Sequence, residues 1–311
     1  ALIMADILSL GEPMWEMTAI PSEPGKYTLG FGGDTANFCV AAARQGASVG
    51  YITRVGNDPF GDALRELWAK EGIDCSHVTV DERASTGGYF VHHGPNGHSF
   101  SYARAGSAAT RLAPDDIDAD AVERSQFVHS SGITQAISAS ARAATLSLFQ
   151  QARAAGVFTA FDSNLRTRLW TVGEAREALA EILPLTDYFF PSLEDATALS
   201  GTADHDRIFQ WAHELGAQVV LLKLGADGVA ISQGQGADPI RMAAFSVATV
   251  DATGAGDCFA GATIARLVKG DLFLDAVRYG NAAAALTTTG YGAIGAIPHA
   301  AAVQAYLQTR A

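Results

Sequence analysis

The residues best suited to chemistry lie late in the chain, in Asp251-Ala252-Thr253-Gly254-Ala255-Gly256-Asp257, which runs on into Cys258-Phe259-Ala260-Gly261. Upstream, 245–250 alternates like a strand or an extended segment. Downstream, Phe259, Ala262, Thr263, Leu267 and Val268 recur with helical spacing. The glycines therefore fall where a helix begins. A helix start offers unpaired backbone N–H groups and the positive end of the dipole. Gly254 and Gly256 let a ligand approach that backbone closely, so the turn reads as an anion cradle suited to a phosphate. A carboxylate in such a cradle repels a phosphate unless it takes a proton from a second reactant or is bridged by a metal. Asp257 reads as a base placed where a phosphoryl group meets a hydroxyl. The same residues also fit an ordinary capped helix start, and the case for chemistry rests on what surrounds them.

Several elements must position this turn. Ile7-Leu8-Ser9-Leu10-Gly11-Glu12 reads as a short buried strand ending in a turn. The region 14–31 reads as small strands and loops, Gly32-Gly33-Asp34 as a turn, and 35–45 as a helix stopped at Gly46. A strand at 49–55 and a helix opened by Asp58-Pro59 follow. Two strands flank Gly94-Pro95-Asn96-Gly97, a strong hairpin signal. With the 14–31 region this hairpin forms a candidate β-lid, built from about 12–31 and 84–105 of a single domain spanning 1–311. After Pro114 the rhythm becomes βαβα, with strands expected at 127–130, 157–161, 188–190, 219–222 and 228–231. Helices are expected at about 138–155, 173–182, 193–199 and 207–215. The Ala-rich stretch 255–288 reads as helical, as does 299–308. Apolar runs joined through helices predict a mainly parallel sheet covered on both faces.

In open α/β sheets ligands bind beyond the carboxyl ends of the strands. Four polar clusters fall there: Gly32-Gly33-Asp34 with Asn37, Asp162-Ser163-Asn164-Leu165-Arg166, Pro191-Ser192-Leu193-Glu194-Asp195, and the 251–257 turn. Arg166 and, from the hairpin, Arg104 carry guanidinium forks that match a carboxylate or phosphate. Tyr89, Tyr102 and Arg104 are expected on one face of the lid. Taken singly, each arginine also fits a solvated surface, each tyrosine fits lid packing, and Lys223-Leu224-Gly225-Ala226-Asp227-Gly228 fits a plain turn.

The chain has 311 residues, 48% hydrophobic and 17% charged, enough for a sizeable core. Its net charge of −12 argues against nucleic acid or an anionic membrane as the main partner, while leaving room for an anionic substrate held by local arginines. Cys39, Cys75 and Cys258 show no paired spacing and read as buried thiols in a reducing compartment. No stretch reaches membrane-spanning length without polar interruption, so a cytoplasmic location is expected.

These motifs resemble the ribokinase-like (PfkB) sugar kinases over nearly the whole length. The late signature is 251–261, and the early one is Gly32-Gly33-Asp34-Thr35-Ala36-Asn37 followed by Arg54-Val55-Gly56-Asn57-Asp58-Pro59-Phe60-Gly61. Within that family the likeness is greatest to 2-keto-3-deoxygluconate kinases. It is carried by Gly32-Gly33-Asp34-Thr35, by Tyr102-Ala103-Arg104-Ala105-Gly106-Ser107-Ala108-Ala109, and by Phe161-Asp162-Ser163-Asn164-Leu165-Arg166 with Leu169-Trp170. The resemblance implies a three-layer α/β/α fold with a small β-sheet lid, and ATP-dependent phosphorylation of a sugar-acid hydroxyl. Asp257 would be the base, with the amides of Gly254, Ala255 and Gly256 as the anion hole. Gly33, Asp34 and Asn37 would hold sugar hydroxyls. Tyr89, Tyr102, Arg104 and Arg166 would hold the acid, and Ile133 would pack against it. Asn164, Ser192, Lys223, Gly225, Gly228 and Asn281 would line the nucleotide side. Where many members carry Asn-x-x-Glu near Mg²⁺, this chain has Ser192-Leu193-Glu194-Asp195, so either Glu194 or Asp195 would steer the ion. Asp251 resembles the monovalent-cation site of some relatives.

Two other readings stay open here: a kinase of neutral sugars such as fructokinase or ribokinase, and a non-catalytic sugar-binding regulator on the same fold. A hydroxyl-only sugar has no need of two guanidiniums, which favours the acid. Exposed lid strands predict a homo-oligomer through the lid, a dimer or a multiple of one.

Overall fold

The structure, a computed structural model, describes residues 5–94 and 97–310. In chain order the strands are β1 (Ile7–Leu10), β2 (Met14–Ala19), β3 (Tyr27–Gly32), β4 (Val49–Gly56), β5 (Val78–Asp81), β6 (Gly88–Gly94), β7 (Gly97–Ala103), β8 (Phe127–Ser131), β9 (Phe158–Asp162), β10 (Tyr188–Phe189), β11 (Val219–Lys223), β12 (Val229–Ser232) and β13 (Ile240–Met242). Nine of them form one sheet in the order β13-β12-β11-β10-β9-β8-β1-β4-β5. The pairs from β11 to β5 are parallel, with Ile7 of β1 opposite both Val49 and Phe127. The last two pairs, β11–β12 and β12–β13, are antiparallel. Only Leu224–Gly228 separates β11 from β12, far too short for the crossover that a parallel pair needs.

Both faces of the sheet are covered, and the strands show it residue by residue. Ile7, Tyr51, Phe127, Leu221 and Ile231 pack into one core with the helices Asp34–Arg44, Ala255–Val268 and Phe273–Thr287. Their neighbours Leu8, Leu10, Ile52, Val128, Val220 and Leu222 pack into the other, with Ala139–Ala155, Val172–Ile182 and His205–Glu214. Period-two alternation with both sets apolar is what a doubly covered strand requires.

Small residues set how closely the helices cross. A Cβ at Gly261 would lie 2.6 Å from the Phe38 carbonyl oxygen, so Ala255–Val268 packs directly on the backbone of Asp34–Arg44. A Cβ at Gly280 would lie 2.1 Å from Thr263 Oγ1, which closes the next crossing the same way.

The second sheet has the order β3-β2-β6-β7. β2–β3 and β6–β7 are antiparallel, while β2–β6 is parallel. The sheet is rooted by Trp15, whose ring stacks on Phe60 at 4.9 Å and whose Nε1–H donates to Thr86 O at 3.0 Å. The ring occupies the space that a Cβ at Gly88 would need. The hairpin turn expected at Pro95 and Asn96 lies outside the described residues.

Some expectations are corrected. Residues 245–250, read as a strand or an extended segment, join no sheet, so the strand is excluded. The segment's ends are tied near the helix Phe273–Thr287: Asn281 Nδ2–H donates to Ala243 O at 2.8 Å just before the segment, and Val250 N–H donates at 2.7 Å to the O of Thr288, which caps the helix. A helix absent from the sequence reading, Gly132–Ile137, follows β8 with no intervening turn. The Ala-rich region is two helices, split after Val268.

Candidate active site

The carboxyl ends of β1, β8, β9 and β11 open onto one cleft, and the amino ends of Asp34–Arg44 and Ala255–Val268 point into it. Asp257 sits in the first turn of Ala255–Val268, behind Gly254 at φ 74. That left-handed conformation suits glycine. The close packing at Gly261 brings Asn37 alongside, and Asn37 Nδ2–H donates to Asp257 Oδ2 at 2.8 Å. One turn earlier, Asp34 Oδ1 accepts from Thr35 N–H at 2.8 Å and Asp34 Oδ2 accepts from Asn164 Nδ2–H at 2.8 Å. Asn164 holds φ at 30, which asparagine tolerates better than most residues, and its N–H is fixed by Asp162 Oδ1 at 3.1 Å. Asp162 Oδ2 accepts from Lys223 Nζ at 2.5 Å. The ammonium also lies 3.3 Å from where a Cβ at Gly256 would be, so it flanks the amide turn.

Three carboxylates thus gather in one place, and one lysine pairs with Asp162 among them. Part of Asp257 faces the cleft, but dense surrounding protein strips most of its hydration. Burial, then the charges of Asp34 and Asp162, push its carboxyl up to about 8, against the pull of Asn37 and Lys223. Burial also raises Asp162, against the opposing charge of Lys223.

On one side of Asp257 lies a cavity of about 470 Å³. Lys223, Gly225, Gly228, Gly256 and Asn281 line it, with an apolar wall that includes Val229, Phe245 and Ala284. Gly228 is at φ 94, and a Cβ there would lie 2.1 Å from Met242 O. On the other side are Asn37, Asp34 and Gly33. A Cβ at Gly33 would strike the Glu12 carbonyl oxygen at 2.3 Å. Asn37 Oδ1 is buried and has no hydrogen-bond partner among the described residues.

The remaining predicted residues fall as follows. Tyr89 and Tyr102 pair across β6–β7, and Tyr89 Oη–H donates to Glu16. Ile133 is buried in the helix Gly132–Ile137. Asn164, expected on the nucleotide side, donates to Asp34. Ser192 caps Leu193–Ser200, its Oγ accepting from Asp195 N–H at 3.0 Å, and it does not line the cavity. Asp195 Oδ2 accepts from Ser163 Oγ–H at 2.7 Å and Leu165 N–H at 3.1 Å, tying down the 162–166 loop, while Glu194 is exposed. Among the described residues no cluster of three or more carboxylates, histidines or cysteines is arranged to hold a metal. Asp251 Oδ1 accepts from Thr253 N–H and Oγ1–H, and its Oδ2 accepts from Gly292 N–H at 3.0 Å.

The two arginines are engaged separately. Arg166 is exposed, with Nη1 on Leu165 O at 2.9 Å. Arg104 is paired with Glu12, a wholly buried residue that reading the sequence passed over because Gly11-Glu12-Pro13 looks like an ordinary turn. Asp162 was visible as a strand-end carboxylate and Lys223 as a candidate at its own turn, but nothing in the sequence joined the two across the strand between them.

The pattern of the pfkB family carbohydrate kinases matches residues 4–300. The 2-dehydro-3-deoxygluconokinase of Thermoproteus tenax is 37% identical over 276 residues, covering 86% of this chain and 83% of that one. The 2-dehydro-3-deoxygalactonokinase of Haloferax volcanii is 32% identical over 297 residues, covering 93% and 92%. Among solved structures, the fructokinase with bound ATP from Xylella fastidiosa superposes with a TM-score of 0.90 at 27% identity, covering 98% of each chain. Such agreement along the whole chain, joined to the anion turn and its carboxylate, makes this protein a phosphotransferase of the pfkB family of carbohydrate kinases.

Proposed function

We propose that the protein transfers the γ-phosphoryl group of ATP to the terminal hydroxyl of a 2-keto-3-deoxy sugar acid, with 2-keto-3-deoxygluconate the first candidate. One observation carries this reading: Asp257 stands at the boundary between a nucleotide-sized apolar cavity and a polar nest of Asp34, Asn37 and Asn164. The nest suits an acceptor rich in hydroxyls, since Asn37 Oδ1 is a buried acceptor still lacking a donor. The sugar-acid relatives share most of the chain's length.

Phosphoryl transfer needs alignment and neutralisation of spreading negative charge more than covalent chemistry. The amides of Gly254, Ala255 and Gly256 supply fixed donors at a helix start, and Lys223 adds a cation beside them. Asp257 takes the hydroxyl proton, and a carboxyl raised to about 8 is suited to accept one near neutral pH. Mg²⁺ neutralises phosphate charge when bound. Without a protein cage, Glu194 and Asp195 would hold it through water, which suits an ion that dehydrates reluctantly. A monovalent cation would sit at Asp251, whose oxygens are oriented by Thr253 and by Gly292 N–H and keep further lone pairs for an ion.

The small sheet acts as the lid, carrying Tyr89, Tyr102 and Arg104 over the acceptor and excluding water. Its large exposed side chains, Tyr27, Leu29, Phe100 and Tyr102, each 40–44% accessible, suit a contact with a second copy of the chain. The three cysteines are free, Cys39 and Cys258 buried and Cys75 only partly so, which suits a reducing compartment such as the cytoplasm.

A panel of sugars in a coupled ADP-release assay tests the reading. The sugar acid should give the highest kcat/KM. Arg104 is already neutralised by Glu12, which keeps a neutral-sugar kinase as the second reading. Faster turnover of fructose or ribose would establish that one instead.

A further inference from the structure

Arg104 leaves β7 and returns to the hinge between the two sheets. Its Nε and Nη2 face the Glu12 carboxylate, with Nε 3.4 Å from Oε1 and Nη2 on Oε2. Its guanidinium carbon lies 5.4 Å from the centre of the Tyr102 ring. The Glu12 side chain is wholly buried, and that of Arg104 is only 12% exposed. Glu12 sits in Gly11-Glu12-Pro13, which links β1 to β2, and its carbonyl is the surface on which Gly33 rests. Around the carboxylate, a Cβ at Gly87 would lie 3.5 Å from Glu12 Oε1 and 3.1 Å from Ser107 Oγ, a buried hydroxyl with no partner among the described residues.

A pair of this kind is seldom kept for stability. Burying both charges costs about as much as their attraction returns. Here the neighbouring Asp34 adds like charge, and burial drives the Glu12 carboxyl upward even with Arg104 beside it. The pair does have a geometric consequence. A guanidinium offers two bidentate edges, and Glu12 occupies the side edge formed by Nε and Nη2. The end edge, Nη1 with the second hydrogen of Nη2, is left, and Nη1 bonds nothing among the described residues.

We propose that Glu12 is a positioning residue for acceptor recognition: it clamps one edge of Arg104 so that the opposite edge is presented, in fixed orientation, to the carboxylate of the sugar acid. The assignment rests on the sugar-acid reading given above. It explains how an arginine already paired in the free protein still selects an acid. The pair contributes two aligned donors, and its near-zero net charge leaves phosphate and other stray anions without strong attraction. Tyr102 supports the plane from its ring side.

The test combines Arg104→Lys, Glu12→Gln and their double variant, assayed on the sugar acid and on a neutral ketose, with ATP KM and melting temperature measured in parallel. Lysine keeps a positive partner for Glu12 but offers no second edge. Arg104→Lys should therefore melt close to the wild type, raise KM for the acid about 10-fold or more, and leave ATP KM within about twofold. Glu12→Gln should raise the acid KM about 10-fold when Arg104 is present and less than about twofold when Arg104→Lys is already in place, because it acts only through the arginine. An unchanged acid KM in Arg104→Lys overturns the end-edge assignment, even if Glu12→Gln fails to fold. Equal effects of Glu12→Gln in both backgrounds reduce it to a packing role and overturn the proposal. A wild-type preference for the neutral ketose sinks the sugar-acid reading itself and the proposal with it, whereas a preference for the acid together with either of the other two failures sinks the Glu12 assignment alone.

Discussion

Replacing Asp257 with asparagine should make the protein both inactive and more stable, with the second effect growing as pH rises from about 4 to about 8. In the native state the carboxyl is pushed from the ordinary 3.8 to about 8 by burial and by Asp34 and Asp162. The native protein therefore binds this proton more tightly than the unfolded chain does. Stability from this group is fully present below about pH 4 and is lost as pH rises through about 8. A shift of that size has a ceiling of about 5–6 kcal/mol. Water in the cleft and the Lys223 ammonium screen part of it, so a difference of about 2 kcal/mol is expected. The substituted amide keeps the shape of the carboxylate and can still accept from Asn37 Nδ2–H through its oxygen. For a chain of this length, about 2 kcal/mol corresponds to a rise of about 3 °C in Tm. Thermal melts of wild type and Asp257→Asn should nearly coincide at or below about pH 4 and separate by that amount at about pH 9. Turnover should fall by roughly 10²–10⁴. The wild-type kcat/KM should climb with pH toward an apparent pKa near 8, read as a property of the carboxylate group as a whole. Near-normal turnover in Asp257→Asn, or a stability gain no larger at the alkaline pH than at the acidic one, would refute the reasoning.

Gly261→Ala forces a methyl against the Phe38 carbonyl at 2.6 Å and should cost about 1–3 kcal/mol in urea unfolding. It should also lower kcat, because the same crossing holds Asn37 on Asp257. Lys223→Met removes the cation paired with Asp162. It should raise ATP KM, and the buried Asp162 should take up a proton, which difference infrared spectroscopy would detect near the carboxylic C=O band. Asp195→Ala releases Ser163 Oγ–H and Leu165 N–H and should lower stability by about 1–3 kcal/mol, while exposed Glu194→Ala should leave stability unchanged and raise the Mg²⁺ concentration needed for half-maximal rate. If the Mg²⁺ requirement moves only in Asp195→Ala, the ion is steered by that carboxylate instead.

Much of this architecture could be read in advance because the central strands are apolar on both faces and their helices carry clear starts and stops. The βαβα rhythm after Pro114 is of this kind, as is Asp58-Pro59, where Asp58 Oδ1 accepts from Gly61 N–H at 2.8 Å. The misreadings arise where local pattern and tertiary surroundings disagree. Residues 245–250 alternate like a strand but join no sheet, and Val250 N–H is taken up by the O of Thr288 at the end of a helix. The three residues of β13 have no pattern of their own and become a strand only by pairing with β12. Gly132–Ile137 begins directly after the last residue of β8, so no turn residues announce it. In the site, polar residues at strand ends were visible one by one, whereas their pairings were not. Arg104 with Glu12 and Lys223 with Asp162 join residues far apart in the chain, and neither partner marks the other.

These pairings also show why the site stands where it does. Asp34, Asp162 and Asp257 repel one another, and the fold holds them together against that repulsion with one lysine, two asparagine amides and the amino ends of two helices. None of those contacts would keep three carboxylates close if the elements beneath were free to separate. The resistance comes from the crossing at Gly261 and from the buried strand ends below it, where no side chain is available to give way. A phosphoryl acceptor site needs a base that is reluctant to stay charged. Here that reluctance is produced by packing, at a point where the surrounding core is rigid enough to bear it.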